Sequence, residues 1–366
     1  MRYVPMHKVS AGMVLGRDIY DFTNHVLLRR GKALNDSLIR RLGTFGYQGV
    51  YIEDEFSMQI EIEDVISEEM RGRAVQSLKE LNLDDARIVA KDIVEKILSA
   101  EVISLDVINL HSYDDYTYCH SVNVAVLATI VGMGMNYTSD QLRDLCVAGI
   151  FHDMGKLSID KNILNKEEKL TNEEYCIIKE HPQKSYDFFA DKWNISSAVK
   201  MGVLCHHENE NGTGYPLGLT GNRIHPFAKI IHVVDVYDAL SSKRPYKKAY
   251  AFSEALEYLM GGSTTMFDEK IVNVFMQYVP IYPKGTNVLL SDGREGIICK
   301  NNRASSLRPE ILLMDGTKIN LMDIEKFSTI TILKQNNEDT ITGMEIEEIE
   351  LSRKAAYESC QKVSKR

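Results

Sequence analysis

The sequence predicts a multidomain, mainly α protein: an all-helical bundle in the middle, a small α/β module before it and a small β-domain after it. Three observations carry this expectation. Between about residues 106 and 280 the chain reads as successive helices broken by loops. After YVPIYPKGT the period becomes that of strands, in TNVLLSDGREGIICK and PEILLMDGTKINLMDI, each with a glycine-containing turn between β-prone runs. The length, 366 residues, exceeds the usual size of one domain.

Taken in order, residues 1–57 alternate short apolar runs with turn signals: VLGRDIYD, HVLLRRGKAL, the helix-like NDSLIRRLGTFG and the strand-like GVYIED. In residues 58–105 apolar positions recur at threes and fours (Val75, Leu78, Leu81; Ile88, Ile93, Ile97), which predicts amphipathic linking helices. Such helices suit a homodimer as well as packing within one chain. Residues 106–280 form the helical domain, and 281–336 the β-domain. The tail, 337–366, is acidic through Glu350 and basic from Arg353. No phosphoacceptor or cofactor motif in residues 1–57 names a signal, and nothing assigns the β-domain a role.

Composition narrows the function classes. Hydrophobic residues make up 44%, a globular value, and the formal net charge of −9 argues against duplex nucleic acid as a partner. A small anionic ligand held locally by metal stays compatible with that charge. The six cysteines (Cys119, Cys146, Cys176, Cys205, Cys299, Cys360) form no CxxC pair, and settings such as LRDLCVAGI suit buried free thiols. That favours a reducing, cytoplasmic setting. MRYVPMHKVS lacks the plan of a signal peptide, and no apolar run reaches the roughly 18 residues of a spanning helix. A soluble chain without a membrane anchor is expected.

The chemistry concentrates in the helical middle. VAGIFHDMGKLSI ends an apolar helix with adjacent His152 and Asp153, breaks at Gly155 and presents Lys156. A buried carboxylate beside a histidine is costly unless metal or hydrogen bonds compensate it, and metal is the more economical explanation. AKIIHVVDVYDAL places Asp235 and Asp238 three apart, on one face of an apolar helix, where acidic residues are rarely inert. HHENENGTGYP, residues 206–216, sets two adjacent histidines at the mouth of a loop with two glycines and a proline.

HDMGK, HHE with GTGYP, and VVDVYDAL followed by RPY together resemble the HD-GYP family, a branch of the HD-domain metal-dependent phosphohydrolases, over about residues 106–280. YTYCHSVNVA, KNILNKEEKLTNEEY and IIKEHPQKS match as well. The resemblance implies an all-helical HD-domain bundle with one metal held by His120, His152, Asp153 and Asp235. A second would be held by His181, His206 and His207, with Asp153 bridging both. Imidazole with carboxylate suits Fe, Mn or Zn, and the absence of a cysteine motif argues against a thiolate zinc site. Two divalent ions, Fe or Mn, are therefore expected. Ions roughly 3.5–4 Å apart can hold a bridging hydroxide and clamp both oxygens of an in-line displacement at phosphorus.

By the same resemblance Lys156 contacts substrate phosphate, with Asp238 orienting it through an ion pair. Gly214, Tyr215 and Pro216 shape the wall of the site, and Tyr215 offers a ring face or a hydroxyl to a nucleotide. Arg244 and Lys247, in SSKRPYKKAY, receive the second phosphate or a guanine edge. Some members place a glutamate four residues before the first histidine and bind a third metal. This chain has Tyr116 there and Asp115 one position off that face, so two ions are expected rather than three. His111, His225 and His232 match no ligand position.

The activity so implied is a phosphodiesterase of bacterial second-messenger signalling. It would open cyclic di-GMP with metal-bound hydroxide to linear pGpG, with GMP as the alternative end product. Another cyclic dinucleotide, 3′,3′-cyclic GMP-AMP, is the alternative substrate. A non-catalytic cyclic dinucleotide receptor is the alternative role, although none of the seven ligands is missing.

Overall fold

The computed structural model describes residues 1–20, 25–45, 47, 49–62, 64–100, 116–166, 168–241, 252–302 and 304–335. Two compact units emerge, one from Met1–Cys119, Met133–Asn136 and Asn273–Glu338, the other mainly from His120–Gly132 and Tyr137–Val272. The sequence expectation that falls on the tail, 337–366, lies outside the described residues.

The first unit begins with β1 (Arg2–Pro5), β2 (Val14–Leu15), β3 (Ile19–Tyr20), β4 (Val26–Leu28), α1 (Asp36–Thr44) and β5 (Gly49–Glu53). The order is β1-β5-β2 in an antiparallel sheet, with Val4 opposite Val50, and β3 pairs with β4. Asn35 caps α1 by accepting from Leu38 N. The linker helices are α2 (Glu68–Lys79) and α3 (Leu83–Ser99), capped by Ser67 and Asn82.

The helical middle runs through α4 (Tyr116–Gly134), α5 (Ser139–Phe151), α6 (Lys161–Leu164), α7 (Asn172–Ile178), α8 (His181–Ala190), α9 (Ser197–Leu204), α10 (Pro226–Ser241), α11 (Phe252–Gly261) and α12 (Glu269–Tyr278). Capping boxes, Thr138 with Gln141 and Thr171 with Glu174, start α5 and α7. In α4, Thr117–Gly134 is long and apolar enough to cross a membrane, contrary to the sequence expectation. It is nonetheless 78% buried within the protein, the condition of a core helix that is apolar all round.

Five further strands, β6 (Asn287–Leu290), β7 (Glu295–Lys300), β8 (Glu310–Leu313), β9 (Lys318–Asn320) and β10 (Ile332–Gln335), pair antiparallel in the order β10-β6-β7-β8-β9. A short α13 (Ile324–Phe327) precedes β10. The sequence reading separates this sheet from residues 1–57, whereas in the structure the two share a core. Tyr3 and Tyr51 pack with Ile297 and Leu312, and Tyr3 N donates to Gly285 O at 3.0 Å.

Cys119, Cys146, Cys205 and Cys299 are free thiols.

Candidate metal centre

The second unit brings all seven histidine and aspartate candidates together. His120 comes from α4, His152 and Asp153 from the end of α5, His181 from the start of α8, His206 and His207 from the turn after α9, and Asp235 from α10. Gly155 lets the 3₁₀ turn Met154–Ser158 press against α8. A Cβ there would lie 2.2 Å from His181 O, and Gly155 N donates to Ser185 Oγ at 2.8 Å.

Their donor atoms form two groups, His120 with His152 and Asp235, and Asp153 with His181, His206 and His207. Within each group the atoms lie within 4.8 Å of one another. Asp153, 1% exposed, joins the two. Its Oδ2 lies 3.6 Å from His120 Nε2 and 3.5 Å from His152 Nε2. Its Oδ1 lies 3.2 Å from His181 Nε2 and 3.7 Å from His206 Nε2. One carboxylate thus turns one oxygen to each group.

Three of the histidines share a device. His152, His181 and His206 each sit just past a helix C-terminus and aim Nδ1 at the carbonyl three residues back: Gly149 O at 2.8 Å, Ile178 O at 2.7 Å and Val203 O at 2.6 Å. These carbonyls are among the last of their helices, which have no intrahelical donor. An Nδ1 that donates leaves Nε2 as a bare lone pair. All three lone pairs point inward. His181 Nε2 and His206 Nε2 stand 3.3 Å apart, acceptor against acceptor. Among the described residues, His152 Nε2 and Asp153 Oδ1 are buried with no hydrogen-bond partner. Buried acceptors facing one another without donors are unfavourable, and a divalent cation is what removes the conflict. The donor set therefore fits divalent metal.

Charge in the cluster follows from burial. Burial drives the His152 imidazole down to about 3 and lowers His181 and His207 as well, so these rings stay neutral and able to ligate. Burial pushes the Asp153 carboxyl up, but the Lys156 ammonium beside it prevails and holds it well below the carboxylate range. The Lys156 Nζ donates to Asp153 Oδ2 at 2.5 Å.

That contact corrects one sequence expectation. The ion pair of Lys156 is made with Asp153, and Asp238 turns to α4 instead. Asp238 Oδ2 lies 2.7 Å from His120 Nδ1, while its Oδ1 accepts from Asn123 Nδ2 at 3.1 Å. The reason is helix geometry: Asp238 lies three residues beyond Asp235 on α10, and Asn123 three residues beyond His120 on α4, so two polar pairs meet between the helices. Asn123 escaped the sequence reading, although an amide three residues from the candidate ligand His120 on an apolar helix was the available signal.

The glycine-rich loop is folded back on its own start. A Cβ on Gly214 would lie 2.4 Å from His207 O, Glu208 Cα and Asn209 N. The Tyr215–Pro216 peptide is cis, and the Tyr215 ring stacks on His207 at 4.7 Å. Glu208, 2% exposed and not singled out from sequence, accepts from Leu217 N, Gly218 N and Leu219 N at 2.7, 3.1 and 2.9 Å. Replacing Glu208 by alanine leaves three amides to find new partners. The expected loss is about 1–3 kcal/mol in urea unfolding of the full chain. An unchanged midpoint would mean the loop holds its shape without that carboxylate.

His232 bonds to the loop, Nε2 to Asn209 Oδ1 at 3.0 Å, and His225 Nδ1 accepts from Phe227 N at the start of α10. Arg244, Lys247, His111 and Asp115 lie outside the described residues. Tyr116 begins α4.

Residues 106–271 match the family model of the HD domain. A cyclic di-GMP phosphodiesterase of Pseudomonas aeruginosa is 37% identical over 227 residues, which is 61% of this chain and 54% of that protein. The 3′3′-cGAMP-specific phosphodiesterase 1 of Vibrio cholerae is 30% identical over 171 residues, covering 45% of this chain and 38% of that one. The chain thus spans about half, or less, of the length of these curated relatives. Among solved structures, an HDG"Y"P protein of Bdellovibrio bacteriovorus aligns with a TM-score of 0.50 at 17% identity, over 75% of this chain and 97% of that one. At that identity the likeness concerns the fold alone.

Proposed function

Because this chain belongs to the HD-GYP family, with its HD domain in residues 106–271, we propose that it is a metal-dependent phosphodiesterase that opens cyclic di-GMP to linear pGpG, with GMP as the alternative end product. One observation carries the reading: a single buried carboxylate, Asp153, turns one oxygen to each of two histidine-rich groups. We assign His120, His152 and Asp235 to one ion, His181, His206 and His207 to the other, and Asp153 to both. Iron or manganese suits such a set of imidazoles and carboxylates. Two divalent ions there would polarise a phosphodiester and make water acidic enough to attack it near neutral pH.

The chain's own residues do the positioning. The bonds from Nδ1 of His152, His181 and His206 to backbone carbonyls hold their Nε2 lone pairs inward. Burial of Asp153 excludes water from the carboxylate that sits between the groups. Lys156, already beside that carboxylate, is the cation we assign to the reacting phosphate. Asp238 keeps its place in the catalytic set by holding His120 rather than Lys156. A cytoplasmic setting belongs to this reading. So does a homodimer through α2 and α3, for which the exposed Ile88 and Leu98 of α3 are the support.

The specificity of the Vibrio cholerae relative favours a second reading, in which 3′,3′-cyclic GMP-AMP is the substrate. Product analysis of the full chain loaded with Fe(II) or Mn(II), on each cyclic dinucleotide separately, decides between them. Linear pGpG from cyclic di-GMP is the expected result. Tight binding of either dinucleotide without turnover would replace the enzyme with a receptor.

A further inference from the structure

Lys229 lies in the first turn of α10, the helix that also carries Asp235. Its ammonium sits between two carboxylates from different elements. Nζ lies 2.7 Å from Glu210 Oε1, in the glycine-rich loop, and donates at 3.1 Å to Asp268 Oδ2, just before α12. The Lys229 and Glu210 side chains are 10% and 15% exposed, so salt and water screen this contact less than a surface pair. Asp268 is itself held, since its Oδ1 accepts from Lys270 N at 3.0 Å and from Ile271 N at 3.3 Å.

Backbone bonds meet at the same place. Glu210 N donates to Met266 O at 3.2 Å, Asn211 N to Thr265 O at 3.0 Å, and Gly221 N to Glu210 O at 3.1 Å. The loop therefore has two kinds of anchor. Glu208 takes the amides of Leu217, Gly218 and Leu219 and closes the loop on itself, which fixes its shape. Lys229 ties the loop to α10 and to the residue before α12, which fixes its seat. The seat matters because Tyr215 rides on this loop, with its N donating to His207 O at 3.1 Å and its ring stacked on His207.

We propose that Lys229 is a positioning residue for substrate binding: by seating the glycine-rich loop through Glu210 and Asp268, it sets where Tyr215 stands beside the paired groups. This rests on the cyclic dinucleotide reading given above. Without the ammonium, two carboxylates that shared one cation are left facing one another, and like charges push the loop off its seat. The candidate ligands do not depend on that seat, because His206 and His207 precede the loop and the others come from helices or their ends. Substrate affinity is thus the quantity that moves.

The test is kinetic, in the manganese-loaded full chain with cyclic di-GMP. Lys229→Met is expected to raise KM roughly tenfold, between the effects of breaking an exposed ion pair and a buried one. Its kcat should change less than about twofold, with metal content as in the wild type. Glu210→Gln keeps Lys229 paired with Asp268, so it is the milder variant and should raise KM about threefold; it reads the same contact if Lys229→Met does not fold. Both act on one contact, so the double variant should raise KM by less than the product of the single effects. Amide exchange should quicken across the loop in Lys229→Met and stay unchanged along α9. An unchanged KM in either single variant, with the wild type active, overturns the proposal alone. Single effects that multiply also overturn it, because Lys229 and Glu210 would then act separately. So does a loss of metal with lower kcat, because Lys229 would then support the ions rather than the loop. A wild-type chain that neither binds nor turns over cyclic di-GMP removes the underlying reading and the proposal with it.

Discussion

Asp153→Asn leaves the helical fold in place, but the chain holds neither ion tightly and its turnover falls by a factor on the order of 10³ or more. The shape of the side chain is kept, and its charge is lost. In the wild type Oδ2 faces His120 and His152 while Oδ1 faces His181 and His206. An asparagine presents one carbonyl oxygen and one NH₂, so one group would gain a donor where a cation belongs. Lys156 would also lose the carboxylate it bonds at 2.5 Å. Elemental analysis, far-UV circular dichroism and turnover are the three measurements. A folded Asp153→Asn chain that retains two equivalents of metal sinks the bridging assignment.

Asp238→Asn is expected to lower metal affinity by about 10–100-fold, the usual effect of removing the partner that orients a ligating histidine. His120 lies between Asp238, at 2.7 Å from Nδ1, and Asp235, at 2.9 Å from Nε2. Burial pulls its pKa down, but the bonds to Asp235 and Asp238 outweigh burial and raise it to about 9. The sign follows: the folded pKa exceeds the unfolded value of about 6.5. Protonated His120 therefore stabilises the metal-free protein fully below about pH 6.5, and the gain is lost as pH rises through about 9. Metal must displace that proton, so uptake at pH 8 releases about one proton from His120. Asp238→Asn weakens the grip on it and releases less. Calorimetric titration with Mn(II) in two buffers of different ionisation enthalpy reads both quantities. Equal affinity and equal proton release would mean that Asp238 does not act through His120.

The candidate donors were legible in sequence because a metal ligand needs a particular residue type in a particular local setting. His152 and Asp153 sit where an apolar helix breaks, and His206 and His207 sit just beyond another. Long-range pairing leaves no such local trace. The choice of Asp238 between Lys156 and His120 depends on where α10 crosses α4, and residues 120 and 238 are far apart along the chain. The Glu208 bonds span nine to eleven residues and depend on a loop fold that the glycines permit without specifying. The packing of Tyr3 and Tyr51 against Ile297 and Leu312 joins opposite ends of the chain. Strand periodicity says that each segment has a face to bury and is silent about the partner.

The carbonyls of Gly149, Ile178 and Val203 hold three imidazoles by their far nitrogens. Little rotamer freedom is then left for an arriving ion to freeze, since it was given up when the helices formed. Loading and unloading should proceed without backbone rearrangement, at rates set by access to the centre and by proton loss from His120. Amide hydrogen exchange along α5, α7 and α9 should accordingly change little between the chelated and loaded chain.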